Sequence, residues 1–543
     1  MIEEIFEVEK IKEDLKTDLV INVSKLDGVH FQSPSLVGIK DLEAREEIFQ
    51  KLTILFKSNK FIKSYELNTS GFINFNLNVY EVLNFLQQNK EEFIRTIVDE
   101  EPRKYLFDYG GPNIGKSMHV GHLRPLNIGR ALYNMYTISK NECISDIHLG
   151  DWGIPISQIL TFCYENRIDV SDIAIEDLKK IYPEASKLSS LDTNFKNKVD
   201  RNLHKLNTKD EGVYKDWKTI SDITVNDVKT ILSKMNHDFD LFYGESSVID
   251  IIPEMIQTLK DKNLIKEDAG ALISSEKFEP PILVLKSDGT YLYMTTDLAT
   301  VLDRENSISP DYYFYIVDSR QSEHFKQLFS SVKFFNFSNS EFEHIGFGTI
   351  NDLEGKPFKT RDGETYPLEK LWQEIYSILE KKNNEINAGI LTNSVLVFSD
   401  LVVDRKSNYK FDINQFTNIE GKTAIYLQYT RVRIKSILDS QEFVKYSTNT
   451  SEEDFVDSET SLLISILKFS DIFNRSKKLK EPHHLAEYLY EVCQKFNSFY
   501  KDVKIINPNN ESLQNRRMNV LLSTLNIIEL IFEILGIKAV DKM

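Results

Sequence analysis

One stretch of the chain, YLFDYGGPNIGKSMHVGHLRPLNIGR, contains two patterns that could each bind the phosphates of a nucleotide. Gly110 to Ser117 satisfies GxxxxGK(S/T), the P-loop formula, in which backbone N–H groups surround phosphate oxygens. His119 and His122 follow, with Gly121 between them. Histidines three residues apart share a helix face, and near a helix N-terminus they can donate to phosphate oxygens. Both patterns predict a strand, a turn and a helix start, so local structure does not separate them.

Details inside this stretch distinguish the two interpretations only in part. Pro112 has no backbone N–H, in a turn where N–H groups would bind the phosphates. Gly121 would let the adenine and ribose of ATP approach the backbone closely, whereas a P-loop helix requires neither this glycine nor the histidines. Asp318, after the strand-like YFYIV, could still hold Mg²⁺ for a P-loop. The stretch alone leaves both interpretations open.

Composition indicates a soluble protein in a reducing compartment. The three cysteines, Cys143, Cys163 and Cys493, are scattered without CxxC spacing, which disfavours a zinc site or a disulfide framework. No signal peptide and no apolar run of membrane-spanning length is evident, so we expect a cytoplasmic protein without a membrane partner. The formal net charge of −17 neither supports nor excludes RNA binding, since phosphate contacts need only local basic groups.

Hydrophobic periodicity divides the chain into four parts. Residues 1–100 combine strand-like LVINVSKL and SGFINFNLN with the amphipathic helix AREEIFQKLTILFKSNK, which predicts a small α+β domain. Residues 101–380 alternate strands, among them ILVLK, YLYMT and DYYFYIV, with helices, as in a doubly wound parallel sheet. A connecting segment, residues 381–414, leads to residues 415–543, where only helical periodicity remains. The predicted fold is therefore α/β, a Rossmann-type core with an N-terminal α+β domain and a C-terminal all-α helical bundle.

Further motifs extend the nucleotide-binding stretch into a resemblance to one family. GPNIGKSMHVGH resembles the extended signature of arginyl-tRNA synthetases, which are class I aminoacyl-tRNA synthetases with an HxGH motif. Six or more matches in order make chance agreement with the P-loop formula the simpler explanation. Gly111 stands where the family usually has serine, and the N-terminal domain diverges before Ser70. The other matching blocks are SGFINF (70–75), HLGDWG (148–153), YLYMTTDLA (291–299), VDSRQSEHFKQ (317–327), GKPFKTRDG (355–363, similar to the second class I motif), YLQYTRVRI and the final LGI.

The resemblance implies ATP-dependent ligation of L-arginine to tRNA(Arg) through an arginyl-adenylate, with Mg²⁺ accompanying ATP and no resident metal ion or zinc. In this reaction the protein mainly positions reactants and neutralises developing charge. The residues that the resemblance assigns to catalysis are His119, His122, Lys116, Lys356 and Lys359. Those that it assigns to ATP are His119, Gly121, His122, Gly150, Asp151, Lys356 and Lys359.

The resemblance also implies an arginine pocket. A guanidinium is planar and carries five donors, so its pocket needs carboxylate and neutral acceptors in fixed geometry. Asp297 and Tyr293 would supply them, although the residues alone allow Asp297 to be a helix N-cap and Tyr293 a core aromatic. The full set assigned to arginine is Asp108, Gly111, Asn113, His122, Tyr293, Asp297 and Gln321. A serine at position 111 would add a hydroxyl to this pocket.

For tRNA, the resemblance implies contact of the N-terminal domain with the tRNA elbow, of residues 381–414 with the acceptor stem and of the helical bundle with the anticodon. Aromatics and arginines at helical spacing suit unstacked bases and phosphates, although an aromatic stripe can also be core. The residues assigned to tRNA are Tyr426, Tyr429, Arg431 and Arg433. We expect a monomer with tRNA(Arg), L-arginine and ATP as its partners.

Three alternatives stay open at this point. A diverged paralogue could activate arginine or another amino acid without charging tRNA(Arg), a possibility motivated by Gly111 and the divergent N-terminal domain. A P-loop NTPase would hydrolyse the γ-phosphate and depend on Lys116 rather than on the histidines. A tRNA-binding regulatory protein would form no adenylate.

Overall fold

The computed structural model describes residues 1–87, 89–275, 278–358, 365–381, 383–446, 451 and 455–543. These residues form two compact units, one of Asp99–Thr417 and one that combines Met1–Val98 with Asn418–Met543. The predicted domain limits near residues 100, 380 and 414 stay a prediction.

The N-terminal part is a four-stranded antiparallel sheet accompanied by helices. Its strands, in sheet order β1-β2-β4-β3, are β1 (Asn22–Val23), β2 (Phe31–Ser33), β3 (Ile62–Leu67) and β4 (Ile73–Leu77). Its helices are α1 (Ile2–Ile5), α2 (Val8–Leu15), α3 (Leu42–Ser58), α4 (Val79–Leu86) and α5 (Lys90–Arg95). Alternate residues of β4 are buried, as the alternating sequence predicts. The predicted helix is confirmed as α3, whereas the predicted strand LVINVSKL shrinks to the two residues of β1.

The larger unit is built on a four-stranded, fully parallel sheet, which confirms the predicted α/β core. Its strand order is β11-β10-β5-β6, so the chain leaves β5 in one direction for β6 and later returns to the other side of β5 with β10. Ligands of such sheets bind at this switch point, beyond the carboxyl ends of the strands. The strands are β5 (Lys104–Tyr109), β6 (Glu142–Asp146), β10 (Tyr312–Ile316) and β11 (Glu341–His344).

Two smaller sheets and the helices complete this unit. The sheets are β7 (Ile265–Asp268), β8 (Ala271–Ser274) and β9 (Leu283–Leu285), and β12 (Ile350–Asn351) with β13 (Tyr409–Lys410). The helices are α6 (Leu123–Ile138), α7 (Ile154–Glu165), α8 (Ile175–Leu191), α9 (Thr193–Asn207), α10 (Glu211–Lys234), α11 (Ile252–Asp261), α12 (Tyr293–Ser307), α13 (Ser322–Phe335), α14 (Leu368–Glu380), α15 (Glu385–Leu401) and α16 (Ile413–Phe416). The prediction of a strand over YLYMT is wrong, because α12 begins at Tyr293. Thr295 Oγ1 accepts a hydrogen bond from the Leu292 backbone N–H at 3.2 Å and so fixes the start of the helix.

The C-terminal part is helical, as predicted. Its helices are α17 (Ala424–Asp439), α18 (Asp457–Leu467), α19 (Phe469–Leu479), α20 (His483–Asp502) and α21 (Glu511–Leu535). Among the described residues, α21 alone is long and apolar enough to cross a membrane, and 83% of its apolar window is buried. Such burial is typical of the central helix of a bundle.

Candidate active site

The glycine turn after β5 uses its backbone N–H groups for protein contacts. Ile114 N donates to Gly150 O at 3.0 Å, and Gly115 N donates to Thr224 Oγ1 at 3.2 Å. Gly115 has φ +77°, a conformation that favours glycine. In a P-loop these donors would face the phosphates. The turn is therefore closed by the protein itself, which argues against the P-loop interpretation.

Asp318, the residue that a P-loop would need for Mg²⁺, also has its carboxylate bonded to a protein group. It lies just beyond β10, where its carboxylate accepts from the Arg320 backbone N–H at 2.8 Å and pairs with the Arg320 guanidinium at 2.7 Å. This carboxylate therefore caps the turn Ser319–Gln321.

The two histidines form an interlocked pair at the start of α6. Gly121 N donates to His119 Nδ1 at 3.0 Å, and His119 N donates to His122 Nδ1 at 3.0 Å, with the His119 carbonyl slightly farther from that Nδ1 at 3.3 Å. The ring centroids are 4.1 Å apart. A Cβ at position 121 would lie 2.7 Å from His119 Cε1, so a larger residue there would displace the His119 ring.

Both imidazoles are neutral. Burial lowers the pKa of His122 to about 3, helped by His119 and Lys116. Burial and Lys116 also lower the pKa of His119. A neutral ring whose Nδ1 accepts a hydrogen bond carries its proton on Nε2. The pair therefore offers two Nε2–H donors rather than two positive charges.

Tyr293 and Asp297, which are predicted to bind arginine, lie one turn apart at the start of α12. His324 Nε2, on α13, donates to Asp297 Oδ2 at 2.6 Å, and this bond raises the pKa of His324. Tyr293 lines a cavity of about 170 Å³, together with Trp152, Glu245 and residues of α9 and of the turn before α12. Its ring is 67% exposed, so it is not the core aromatic of the alternative interpretation.

Glu245 is the acidic residue in the lining of this cavity, which also includes Lys286, and no sequence pattern identified Glu245. Burial, with Asp297 and Asp151 nearby, raises the pKa of Glu245 to about 8. Asp151 accepts from Ser246 N at 2.8 Å and from Ser246 Oγ at 2.6 Å, which holds the turn that carries Glu245. The contact of Asp151 with ATP stays a prediction.

Lys116 lies near both the histidine pair and Tyr182. Its ammonium is 4.2 Å from the centre of the Tyr182 ring and lowers the pKa of both histidines. Burial, Glu245 and then Tyr182 raise the pKa of the Tyr293 hydroxyl.

Asp108 has a different partner from the one predicted. Its carboxylate pairs with Arg304 at 2.7 Å, and Arg304, only 2% exposed, also contacts the buried Asp146. The contacts form a structural tie between α12 and the strand ends of β5 and β6. The expectation that Asp108 assists in binding arginine stays a prediction.

Gly111 packs closely against the backbone of His148. A Cβ at this position would lie 1.9 Å from the His148 carbonyl oxygen. The glycine therefore allows this close packing, and its assignment to arginine stays a prediction. Asn113 lies against Gly150, where an added Cβ would come within 2.1 Å of Asn113 Oδ1. Gln321 is exposed at the end of the turn that follows β10.

Of the two lysines of the second predicted motif, one can be described. Lys356 closes a turn by donating its backbone N–H to Asp352 Oδ1 at 2.9 Å, and its ammonium pairs with Glu354, both side chains being 73% exposed. Lys359 lies outside the described residues.

The residues predicted to bind tRNA separate into two groups on α17. Arg433 donates to Tyr429 Oη at 2.6 Å and to Asn497 Oδ1 at 3.1 Å, while Tyr426 Oη accepts from Asn497 Nδ2 at 2.8 Å. Arg431 is only 7% exposed and donates to Glu529 and to Val540 O at 2.9 Å. Its contacts favour a structural role for Arg431, and its assignment to tRNA stays a prediction.

One cluster of the described residues could hold a metal ion, and it lies away from this cleft in sequence and in the other unit. Glu481, His483 and His484 meet at the start of α20. An ion pair between His484 Nε2 and Glu481 Oε2, 3.1 Å apart, accounts for part of this proximity. The absence of a resident metal ion stays a prediction.

Comparisons with known proteins agree with this geometry. The family described as "tRNA synthetases class I (R), catalytic domain" matches residues 81–413, and the "DALR anticodon binding domain" matches residues 427–543. An arginine–tRNA ligase from Agathobacter rectalis is 32% identical, covering 91% of this chain and 90% of the relative. Another from Alkaliphilus oremlandii is 32% identical, covering 100% of this chain and 98% of the relative. The fold matches the crystal structure of the Plasmodium falciparum arginyl-tRNA synthetase with a TM-score of 0.77 at 24% identity, covering 100% of this chain and 98% of that one. The chain belongs to the arginyl-tRNA synthetase family of class I aminoacyl-tRNA synthetases.

Proposed function

We propose that this protein ligates L-arginine to tRNA(Arg) in two steps. The arginine carboxylate attacks the α-phosphate of ATP, which forms arginyl-adenylate and releases pyrophosphate. A hydroxyl of the terminal ribose of tRNA then attacks the activated carbonyl, and AMP leaves. The observation that carries this proposal is the cavity lined by Tyr293 and Glu245, with Asp297 close enough to raise the pKa of Glu245, together with the interlocked histidine pair.

Arginine recognition follows from two neighbouring carboxylates, Glu245 in the cavity lining beside Lys286 and Asp297 close to Glu245. Two carboxylates, Asp297 and Glu245, would pair with the guanidinium, and the Tyr293 hydroxyl would accept from one of its N–H groups. A lysine or neutral analogue would leave buried acceptors unpaired, which is a strong basis for rejection. Asn113 and Gln321 would hold the α-amino and carboxylate groups of the substrate.

The ATP side of the site combines neutral donors and cations. His119 and His122 would donate Nε2–H to phosphate oxygens, and Gly121 would let the nucleotide approach the backbone. Lys116, Lys356 and Lys359 would neutralise the charge that develops on the phosphates. ATP would enter as its Mg²⁺ complex, so the ion belongs to the substrate.

For the tRNA, the cluster of Tyr426, Tyr429 and Arg433 on α17 would contact the anticodon loop. The Arg433 guanidinium lies 4.5 Å from the Tyr429 ring and 5.0 Å from the Tyr500 ring. Aromatic rings beside a guanidinium suit stacking with unpaired bases. The N-terminal domain would contact the tRNA elbow, and the enzyme would act in the cytoplasm as a monomer.

An amino-acid panel tests this function. Arginine-dependent exchange of pyrophosphate into ATP, with and without tRNA(Arg), should be specific for arginine, and aminoacylation should charge tRNA(Arg). His119→Ala and His122→Ala should each slow exchange by about 10²- to 10³-fold, the usual effect of removing a transition-state donor. Exchange that prefers another amino acid, or adenylate formation without charging, would point to the diverged paralogue.

A further inference from the structure

The backbone at residues 366–368, C-terminal to the second predicted motif, is hydrogen-bonded to the backbone around His119. Val120 N donates to Tyr366 O at 2.9 Å, and Leu368 N donates to Met118 O at 3.0 Å. These bonds flank His119, so the backbone after the second motif runs beside the first histidine.

The segment that carries Lys356 is held on its N-terminal side by residues 404–410. Strand β12 pairs in parallel with β13, with Ile350 opposite Tyr409. Gly348 N donates to Arg405 O at 2.8 Å, and Thr349 N donates to Asn408 Oδ1 at 2.7 Å. Residues 404–408 thus form a support for the strand that leads to Lys356.

Arg124 connects this support to the signature helix. It lies two residues after His122, is 1% exposed, and places its Nε 2.9 Å from Asp400 Oδ1 at the end of α15. Its Nη1 donates to Ser407 O at 2.6 Å. Asn127, one turn further along α6, donates to Asp400 Oδ2 at 3.2 Å.

We propose that Arg124 is a positioning residue for adenylate formation. Through Asp400 and the Ser407 carbonyl it fixes the support of β12, and with it Lys356, relative to the histidine pair. This inference rests on the proposed function, because it requires both motifs to act on one ATP. A displacement of about 1 Å in a catalytic group can cost roughly 10²-fold in rate, so a loosened support should lower kcat.

The arginine pocket provides an internal contrast. Tyr293, Asp297 and Glu245 lie on α12 and on the turn Glu245–Val248, which are not part of the Arg124 contacts. Loss of Arg124 should therefore lower kcat for exchange while KM for arginine stays within about twofold. Because a loss of folded protein would also lower the apparent kcat without changing KM for arginine, kcat is expressed per folded enzyme, as given by the amplitude of the thermal unfolding transition.

Arg516 offers a matched control for the cost of weakening a buried ion pair. It is 1% exposed and pairs with the fully buried Glu459 at 3.0 Å, between α21 and α18. A lysine cannot reproduce the forked contacts of an arginine. Arg124→Lys and Arg516→Lys should therefore lower the thermal unfolding temperature by similar amounts.

The test measures arginine-dependent pyrophosphate exchange at saturating tRNA(Arg), together with thermal unfolding. Arg124→Lys should lower kcat about 10- to 100-fold, whereas Arg516→Lys should keep the kcat of the unaltered enzyme. If Arg124→Lys does not fold, the double variant Arg124→Met with Asp400→Leu takes its place, because replacing both partners of a buried pair by apolar groups often preserves stability. That variant should fold but stay slow, since it lacks the bond to Ser407 O.

A normal kcat in a folded Arg124 variant, or an equal fall in kcat for Arg516→Lys, would overturn the positioning role. If the unaltered enzyme shows no arginine-dependent exchange with tRNA(Arg), the proposed function itself fails, and the two failures are thereby distinguished.

Discussion

Arginine binding should release a proton from Glu245 near neutral pH. In the empty cavity, burial and the neighbouring carboxylates Asp297 and Asp151 raise the pKa of Glu245 to about 8. At pH 7 about nine in ten of these side chains would then be protonated. A guanidinium favours the ionised form, so binding must first remove the proton. That step costs about 1.4 kcal/mol at pH 7, the equivalent of one pKa unit.

The size of the pH effect on arginine affinity follows from the fraction of Glu245 that is ionised. The affinity for arginine should rise about tenfold between pH 7 and pH 9 and level off above pH 8, because one pKa unit corresponds to a factor of ten. Glu245→Gln removes this titration while every other group that faces the cavity stays. At pH 9, where Glu245 is ionised, the substitution should also weaken binding about 10- to 150-fold, since a hydrogen bond to a charged group contributes roughly 1.5–3 kcal/mol.

Calorimetry tests this directly. Titrating arginine at pH 7 in buffers of different ionisation enthalpy should show release of about 0.9 proton per arginine, the protonated fraction expected one unit below the pKa. Glu245→Gln should release almost none. Glu254→Gln, a change at an exposed glutamate on nearby α11, should behave as the unaltered protein. Proton release that is equal in the unaltered protein and in Glu245→Gln would refute the reasoning.

Other predictions concern stability, backbone packing and RNA binding. Because the folded-state pKa of Glu245 lies above its ordinary value of 4.5, its contribution to stability is complete below pH 4.5 and is lost as the pH rises through about 8. Without arginine, Glu245→Gln should therefore raise the unfolding temperature at pH 8.5 by a few degrees, with little effect at pH 4.5, as scanning calorimetry would show. Gly111→Ser should lower exchange activity at least tenfold, although it introduces the usual family residue, because its Cβ would meet a carbonyl at 1.9 Å. Gly389→Ser, at a site with open space, should be tolerated, and equal activity of both variants would contradict the packing argument. Arg433→Ala should raise KM for tRNA(Arg) about tenfold with a small change in unfolding temperature. Arg431→Ala should chiefly lower the unfolding temperature, and the reverse pattern in the two assays would assign the RNA contact to Arg431.

The residue spacing along α17 could have distinguished Arg431 from Arg433. Tyr426, Tyr429 and Arg433 are three and four residues apart and therefore share a face. Arg431 is two residues from Arg433 and so lies on nearly the opposite face. The structure places it there, against Glu529.

The family, the parallel α/β core, the helical bundle and the histidine pair were all predictable from the amino-acid sequence. These features depend on contiguous motifs and on local periodicity, and the contacts that lock His119 to His122 span only three residues. Tyr293 and Asp297 could be placed together for the same reason, since residues four apart in a helix are neighbours.

Only the tertiary structure decided the partners of the buried charged groups. Glu245 lies more than fifty residues from Asp297 in the chain, and Arg304 reaches Asp108 across 196 residues. The turn at Gly115 is closed by Thr224, which is 109 residues away. No local pattern encodes such contacts, because they arise when separate strands and helices bring their ends to the same edge of the sheet.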